Sequence, residues 1–164
     1  MLEKHHGELT QGCKSCFKGE KLVLFITGIC PRNCFYCPIS EERKNNDIIF
    51  VNEWQTSSIK DLIEEAKAGN AKGAGITGGD PLAKFDRTLE YIKALKKEFG
   101  KSFHIHLYTS LELLTKEKIK SLEEAGLDEL RVHPDIEDKT LWPKLDLMTE
   151  TKMETVVEIP AIPK

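Results

Sequence analysis

The chain has 164 residues, 40% of them hydrophobic and 31% charged, with a formal net charge of -3. That is the balance of one soluble globular domain, and the length is short for two. A slightly acidic balance gives no electrostatic case for nucleic acid, and no apolar run approaches the roughly 20 residues of a membrane span. The opening "MLEKHHGELTQG" lacks the apolar core of a signal peptide. A cytosolic location, with no membrane partner, is the default expectation.

Residues 1–20 read as an N-terminal extension carrying "QGCKSC", and residues 21–164 as the core domain. "KLVLFITG" (21–28) is β-rich and mostly apolar, a buried strand closed by Gly28. A cysteine loop follows, then the polar segment "SEERKNNDIIFVNE". "SSIKDLIEEAKAG" (57–69) has helical apolar spacing, with Ser57 or Ser58 as N-cap and Gly69 as stop. "GAGIT" (73–77) is a short strand running into "GGDP". "FDRTLEYIKALKKEFG" (85–100) is the clearest helix, with Leu89, Ile92 and Leu95 on its apolar face. "SFHIHLYT" (102–109) is a strand, "TKEKIKSLEEAG" (115–126) a helix opened by Thr115, and "DELRVHP" (128–134) a strand. "DIEDKTLWPKLDLM" reads as a partly helical connection, and "METVVEIPAIP" (153–163) as a fifth strand. Strands alternating with helices imply an α/β fold with a parallel sheet and right-handed crossovers. The chain stops on "EIPAIPK", straight after a strand, and this is read as the front part of a longer protein whose core domain is incomplete at its C-terminus.

The five cysteines all lie between residues 13 and 37. An odd, clustered set does not make a disulfide framework and points to metal. Cys30, Cys34 and Cys37, spaced Cys-x3-Cys-x2-Cys, offer three ligands on one loop. These suit three corners of an iron–sulfur cube or three positions of a zinc tetrahedron. A fourth position left open is what reactive sites need and structural sites avoid.

"CPRNCFYC" resembles the Cys-x3-Cys-x-aromatic-Cys signature of radical S-adenosylmethionine (radical SAM) enzymes, and within them the group related to pyruvate formate-lyase activating enzymes. The resemblance covers residues 21 to 163. It implies a partial TIM-like (β/α) barrel, here of about five parallel strands. It also implies a [4Fe-4S] cluster on the three cysteines, S-adenosylmethionine chelated at the open iron, and its reductive cleavage to a 5′-deoxyadenosyl radical that takes hydrogen from a substrate. An electron donor such as flavodoxin or ferredoxin is the implied partner. Tyr36 would pack near the adenine. "GGDP" (Gly78, Gly79, Asp80, Pro81) looks like the family's Gly-Gly-Glu motif, which receives the methionine amino group; Asp80 stands where the family has Glu. Arg131 and His133 match positions that touch the ribose and carboxylate of S-adenosylmethionine. Glu158 falls where relatives often carry Arg; it could accept from ribose hydroxyls but cannot pair a carboxylate. Thr109, ending the third strand, is a similar candidate for binding S-adenosylmethionine.

Other residues fall outside that signature. Cys13 and Cys16 form a separate Cys-x2-Cys, ranked as half of a metal site before an oxidisable pair, with His5 and His6 as possible completing ligands. His104 and His106 share a strand face; without a third ligand they read as packed or solvated. Trp54 and Trp142 read as packing residues. The competing class is a non-enzymatic iron–sulfur or zinc module for electron transfer or structure. "GGDP" argues against it, because an electron carrier needs no nucleotide-like ligand site.

Overall fold

The structure, a computed structural model, describes residues 7–161. Its strands are β1 (Lys21–Phe25), β2 (Ile49–Val51), β3 (Trp54–Thr56), β4 (Gly73–Thr77), β5 (His104–Ser110), β6 (Glu129–His133) and β7 (Glu154–Val157). They form one sheet in the order β3-β2-β1-β4-β5-β6-β7. The run from β1 through β4, β5, β6 and β7 is parallel throughout. It is the partial (β/α) barrel that the sequence implied. Helices α2 (Ile59–Ala68), α3 (Phe85–Phe99) and α4 (Lys116–Ala125) lie between successive parallel strands, and a 3-10 stretch, Trp142–Glu150, leads into β7. An additional helix, α1 (Gln11–Phe17), precedes β1.

The sheet has two strands more than expected. The polar segment after the cysteine loop contains a hairpin in which β2 pairs antiparallel with β1 and with β3. Its turn is only Asn52 and Glu53, with Val51 opposite Trp54. Asn52 adopts φ 53°, a left-handed conformation that Asn tolerates better than most residues. Its side-chain Oδ1 accepts from Val23 N at 3.0 Å and its Nδ2 donates to Glu65 at 2.8 Å, which ties the turn to β1 and α2. Trp54, expected to pack, is 72% exposed on this edge strand.

Helix boundaries follow local chemistry. The Ser58 hydroxyl accepts from Asp61 N at 3.1 Å, and Thr115 from Lys118 N at 3.3 Å. α4 ends at Gly126, whose φ of 100° is the left-handed stop. The apolar stripes of the helices cover one face of the sheet: Leu62, Ile92, Leu95, Ile119 and Leu122 pack with Leu24, Ile76, Leu107 and Leu130.

The other face is polar. Residues in register share a face, so the pairings stack this concave side in rows. Lys21, Gly73 and His104 form the lowest row, and Val23, Gly75, His106 and Glu129 the next. Tyr108 and Arg131 lie above them, and Ser110 and His133 at the C-terminal edge. α1 lies against the lower rows through Thr10 and Gly12, both bonded to Glu129.

The two faces should respond differently to truncation. Leu107→Ala, at a fully buried position, should cost about 2–5 kcal/mol. Val23→Ala, on the concave face and 46% exposed, should cost no more than about 1 kcal/mol. Urea unfolding midpoints would show the difference, and equal losses would mean that the core does not lie between helices and sheet.

Candidate functional site

β1 and β4 keep company past their ends. Gly79 N donates to Thr27 O at 2.7 Å and Asp80 N to Ile29 O at 2.8 Å, so the turn after β4 lies against the start of the cysteine loop. Glycine is required there by space: a Cβ on Gly78 would meet the Thr27 carbonyl, and one on Gly79 the carbonyls of Ile29 and Gly28. The loop is held from its other side by Gly28 N to Asn46 O at 2.8 Å and Asn45 N to Gly28 O at 2.9 Å.

Asp80 turns inward. Its carboxylate has no exposed surface and accepts from Leu82 N (2.9 Å), Thr109 Oγ1 (2.8 Å), Ser110 N (3.1 Å) and Ser110 Oγ (2.6 Å). Pro81 is buried at the start of a 3-10 turn, Pro81–Lys84, and its carbonyl accepts from Thr88 at 2.8 Å.

At the C-terminal edge of the parallel strands lies a cavity of about 740 Å³ whose walls include Cys30, Cys34 and Cys37, a size suited to a small-molecule ligand. Gly78, Gly79, Tyr36, Thr109 and His133 line it too, whereas Asp80, Pro81, Arg131 and Glu158 do not. All three cysteines are free and half-buried. Burial pushes the Cys30 thiol up to about 11, against the pull of the Arg32 N–H on its sulfur. Metal loading there must expel the proton.

Arg32, which the sequence reading passed over, holds the loop in place. Its side chain is 6% exposed and reaches the ends of two strands. Nη1 donates to His133 O at 2.8 Å, Nη2 to Asp135 at 2.8 Å, and Nε pairs with Glu112 at 3.3 Å. A cation inside "CPRNC" was the available signal, but its partners lie 101 and 103 residues along the chain. Tyr36 is tied to the same edge, its hydroxyl 3.0 Å from His133 Nε2. Burial and the Arg32 charge lower the His133 pKa.

Arg131 lies deeper, 3% exposed. Its Nε donates to Glu129 at 2.6 Å, Nη1 to Tyr108 at 2.8 Å and Glu158 at 3.0 Å, and Nη2 to Thr10 at 3.2 Å and Cys13 Sγ at 3.3 Å. These use all five guanidinium donors. Burial opposes its charge, but the Glu129 hydrogen bond and the nearby acidic groups outweigh it and raise the pKa. Glu158 is thus one of its partners.

Cys13 and Cys16 sit on α1, away from the three-cysteine cavity. His5 and His6 lie outside the described residues. Among the described residues, no helix is long and apolar enough to cross a membrane.

The sequence matches the radical SAM superfamily over residues 24–159. It is 52% identical over 171 aligned residues to a protein of Methanocaldococcus jannaschii provisionally named a glycyl-radical enzyme activating enzyme, a match covering 99% of this chain and 45% of that one. It is 31% identical over 112 residues to the biotin synthase of Pseudoalteromonas translucida, covering 65% of this chain and 30% of the other. The chain spans less than half the length of these relatives.

The four bonds to Asp80 make a structural prediction. Asp80→Ala orphans buried donors and should lower stability by about 3 kcal/mol or more, with Asp80→Asn in between because it keeps one acceptor oxygen. Denaturant titration of both variants would check this. An unchanged midpoint for Asp80→Ala would mean that the carboxylate does not hold the edge together.

Proposed function

The chain belongs to the radical SAM superfamily, and from that premise we propose that Cys30, Cys34 and Cys37 hold a [4Fe-4S] cluster beside a bound S-adenosylmethionine. The observation that carries the reading is the placement of three free thiols of one loop on the wall of a single ligand-sized cavity at the C-terminal strand edge. The donor set fits the group: three thiolates ligate three irons and leave the fourth open to the ligand. When bound, the cluster would supply the single electron that splits the sulfonium into methionine and a 5′-deoxyadenosyl radical for hydrogen abstraction.

The protein's own part is to hold and orient. Arg32 fixes the loop to β6, and the Gly78-Gly79 backbone brings the β4 turn close enough to receive the methionine end. Asp80 acts behind that turn: its carboxylate is saturated by Leu82, Thr109 and Ser110, so it shapes the site from beneath. Tyr36 and His133 are the aromatic wall we assign to the nucleoside. An external one-electron donor of the flavodoxin or ferredoxin kind completes the scheme. The two relatives carry names for different reactions, so the proposal stops at the step common to the superfamily.

Anaerobic reconstitution with iron and sulfide tests it. The parent chain should bind about four irons per chain, show a reduced-cluster EPR signal that shifts on adding S-adenosylmethionine, and release 5′-deoxyadenosine with dithionite. The Cys30→Ala, Cys34→Ala, Cys37→Ala variant should do none of these. The Cys13→Ser, Cys16→Ser variant should keep the signal and its shift. A triple variant that still made 5′-deoxyadenosine would sink the reading. A parent protein that loaded only zinc and stayed colourless would favour the structural module instead.

A further inference from the structure

The sequence offered His104 and His106 on one strand face without a third ligand. The sheet supplies one. His106 pairs in register with Glu129 of β6, which is fully buried. One ligand atom from each of His104, His106 and Glu129 lies within 4.8 Å of the others.

Two details separate this cluster from ordinary packing. His104 Nε2 faces Glu129 Oε2 at 3.6 Å. That is too long for a hydrogen bond and close to the roughly 3.3 Å between two ligands of a tetrahedral zinc with bonds of about 2.0–2.1 Å. His106, only 2% exposed, has a buried Nδ1 with no partner among the described residues. A buried imidazole nitrogen left unpaired is costly unless something binds it. Gly12 leaves room in front of it: a Cβ there would lie 2.5 Å from Glu129 Oε2, 2.7 Å from Arg131 Nη2 and 3.0 Å from His106 Nδ1.

We propose that His104, His106 and Glu129 form a second metal site, distinct from the cysteine cavity, for a divalent transition ion of the zinc or iron(II) kind. Two imidazoles and one carboxylate are a ligand set for such ions and leave a position open. The supports are in place: Glu129 Oε1 accepts from Arg131 Nε at 2.6 Å and Thr10 Oγ1 at 3.0 Å, orienting the carboxylate so that Oε2 faces the histidines. Ligation through His104 Nε2 puts the ring proton on Nδ1, so Lys21 Nζ, 2.7 Å from Nδ1, would turn wholly to the His104 carbonyl that it already bonds. Two cations border the cluster: Arg131, which is paired with Glu129 and Glu158, and Lys21 beside His104. Gly12 N bonds Glu129 Oε2 at 3.0 Å, so an ion here would fasten α1 to the concave face.

The test uses the chain with Cys30, Cys34 and Cys37 changed to Ala and His5 and His6 changed to Ala. These changes remove the iron–sulfur ligands and the terminal His pair. Metal-free protein is titrated with Zn²⁺ and with Co²⁺, its fold checked by circular dichroism. The expected result is one ion per chain, with a Co²⁺ spectrum of nitrogen and oxygen ligands and no thiolate charge-transfer band. Affinity should fall at least about a hundredfold in His106→Asn. It should fall as far in His104→Gln, a position nearer solvent that serves if the first variant unfolds. Cys13→Ser, Cys16→Ser should leave binding unchanged. The proposal is overturned if folded protein takes up no stoichiometric ion, or if binding survives the histidine changes and is lost with Cys13 and Cys16.

Discussion

The Asp80 carboxylate is buried at the edge of the sheet, where an uncompensated charge would cost several kcal/mol. Four donors offset that cost, and they come from two different stretches: Leu82 just past the turn, and Thr109 and Ser110 at the end of β5. Hydrogen bonds to a charged acceptor contribute about 1.5–3 kcal/mol each, against about 1 for neutral pairs. The carboxylate therefore fixes the β4 turn against β5 more firmly than an amide would. The turn in turn fixes the cysteine loop, because Gly79 N and Asp80 N bond to Thr27 O and Ile29 O. The position of Cys30 thus descends from one buried acid. The same geometry shows why a bulky residue at Gly79 is a poor probe of ligand binding. It would collide with the loop's own backbone before it met any ligand.

Below that edge the barrel interior is not packed with the branched apolar side chains usual in such folds. Arg131 occupies its middle, with every donor used, and divides the concave face into two compartments. In the same row, Tyr108 helps wall the cysteine cavity above. Beneath it lie Glu129, His104 and His106, closed over by α1. A saturated guanidinium can sit there because the cost of desolvating it is met by two carboxylates and three further acceptors.

What the sequence made legible was local. Ser58, Thr115, Gly100 and Gly126 mark helix ends through partners within one turn of chain, and the parallel strands stand out as β-rich apolar runs between them. The three cysteines were readable because one loop carries them all. The β2–β3 hairpin was missed because each strand has three residues and the surrounding segment is charged; the Asn52-Glu53 turn was the only cue. α1 went unread because a helix of seven residues is held by Glu129, 117 residues away from Gly12, and not by its own pattern. The anchoring of Arg131 is unreadable for the same reason: apart from Glu129, two residues away, its partners lie from 23 to 121 positions distant. Glu129, the acid that completes the histidine cluster, sits in "DELRVHP" with nothing local to mark it. Only the β5–β6 register brings it to His106.

The two compartments are not electrically separate. Arg131 donates to Tyr108 at 2.8 Å on the cavity side and to Glu129 at 2.6 Å on the other. Burial and the Glu158 charge hold the Tyr108 phenol up at about 12, so it stays protonated through the ordinary pH range. Glu129 is shared: one oxygen serves Arg131 and Thr10, the other faces His104 and the α1 backbone. An ion drawn to the second oxygen would pull electron density from the first and weaken its hold on Arg131. The guanidinium would then lean more on Tyr108 and Glu158, at the wall of the upper cavity. At interior dielectric such a redistribution is felt over one side chain's length with little screening. The hydrogen-bonded path Glu129–Arg131–Tyr108 therefore runs from the lower histidine cluster to the wall of the cysteine cavity.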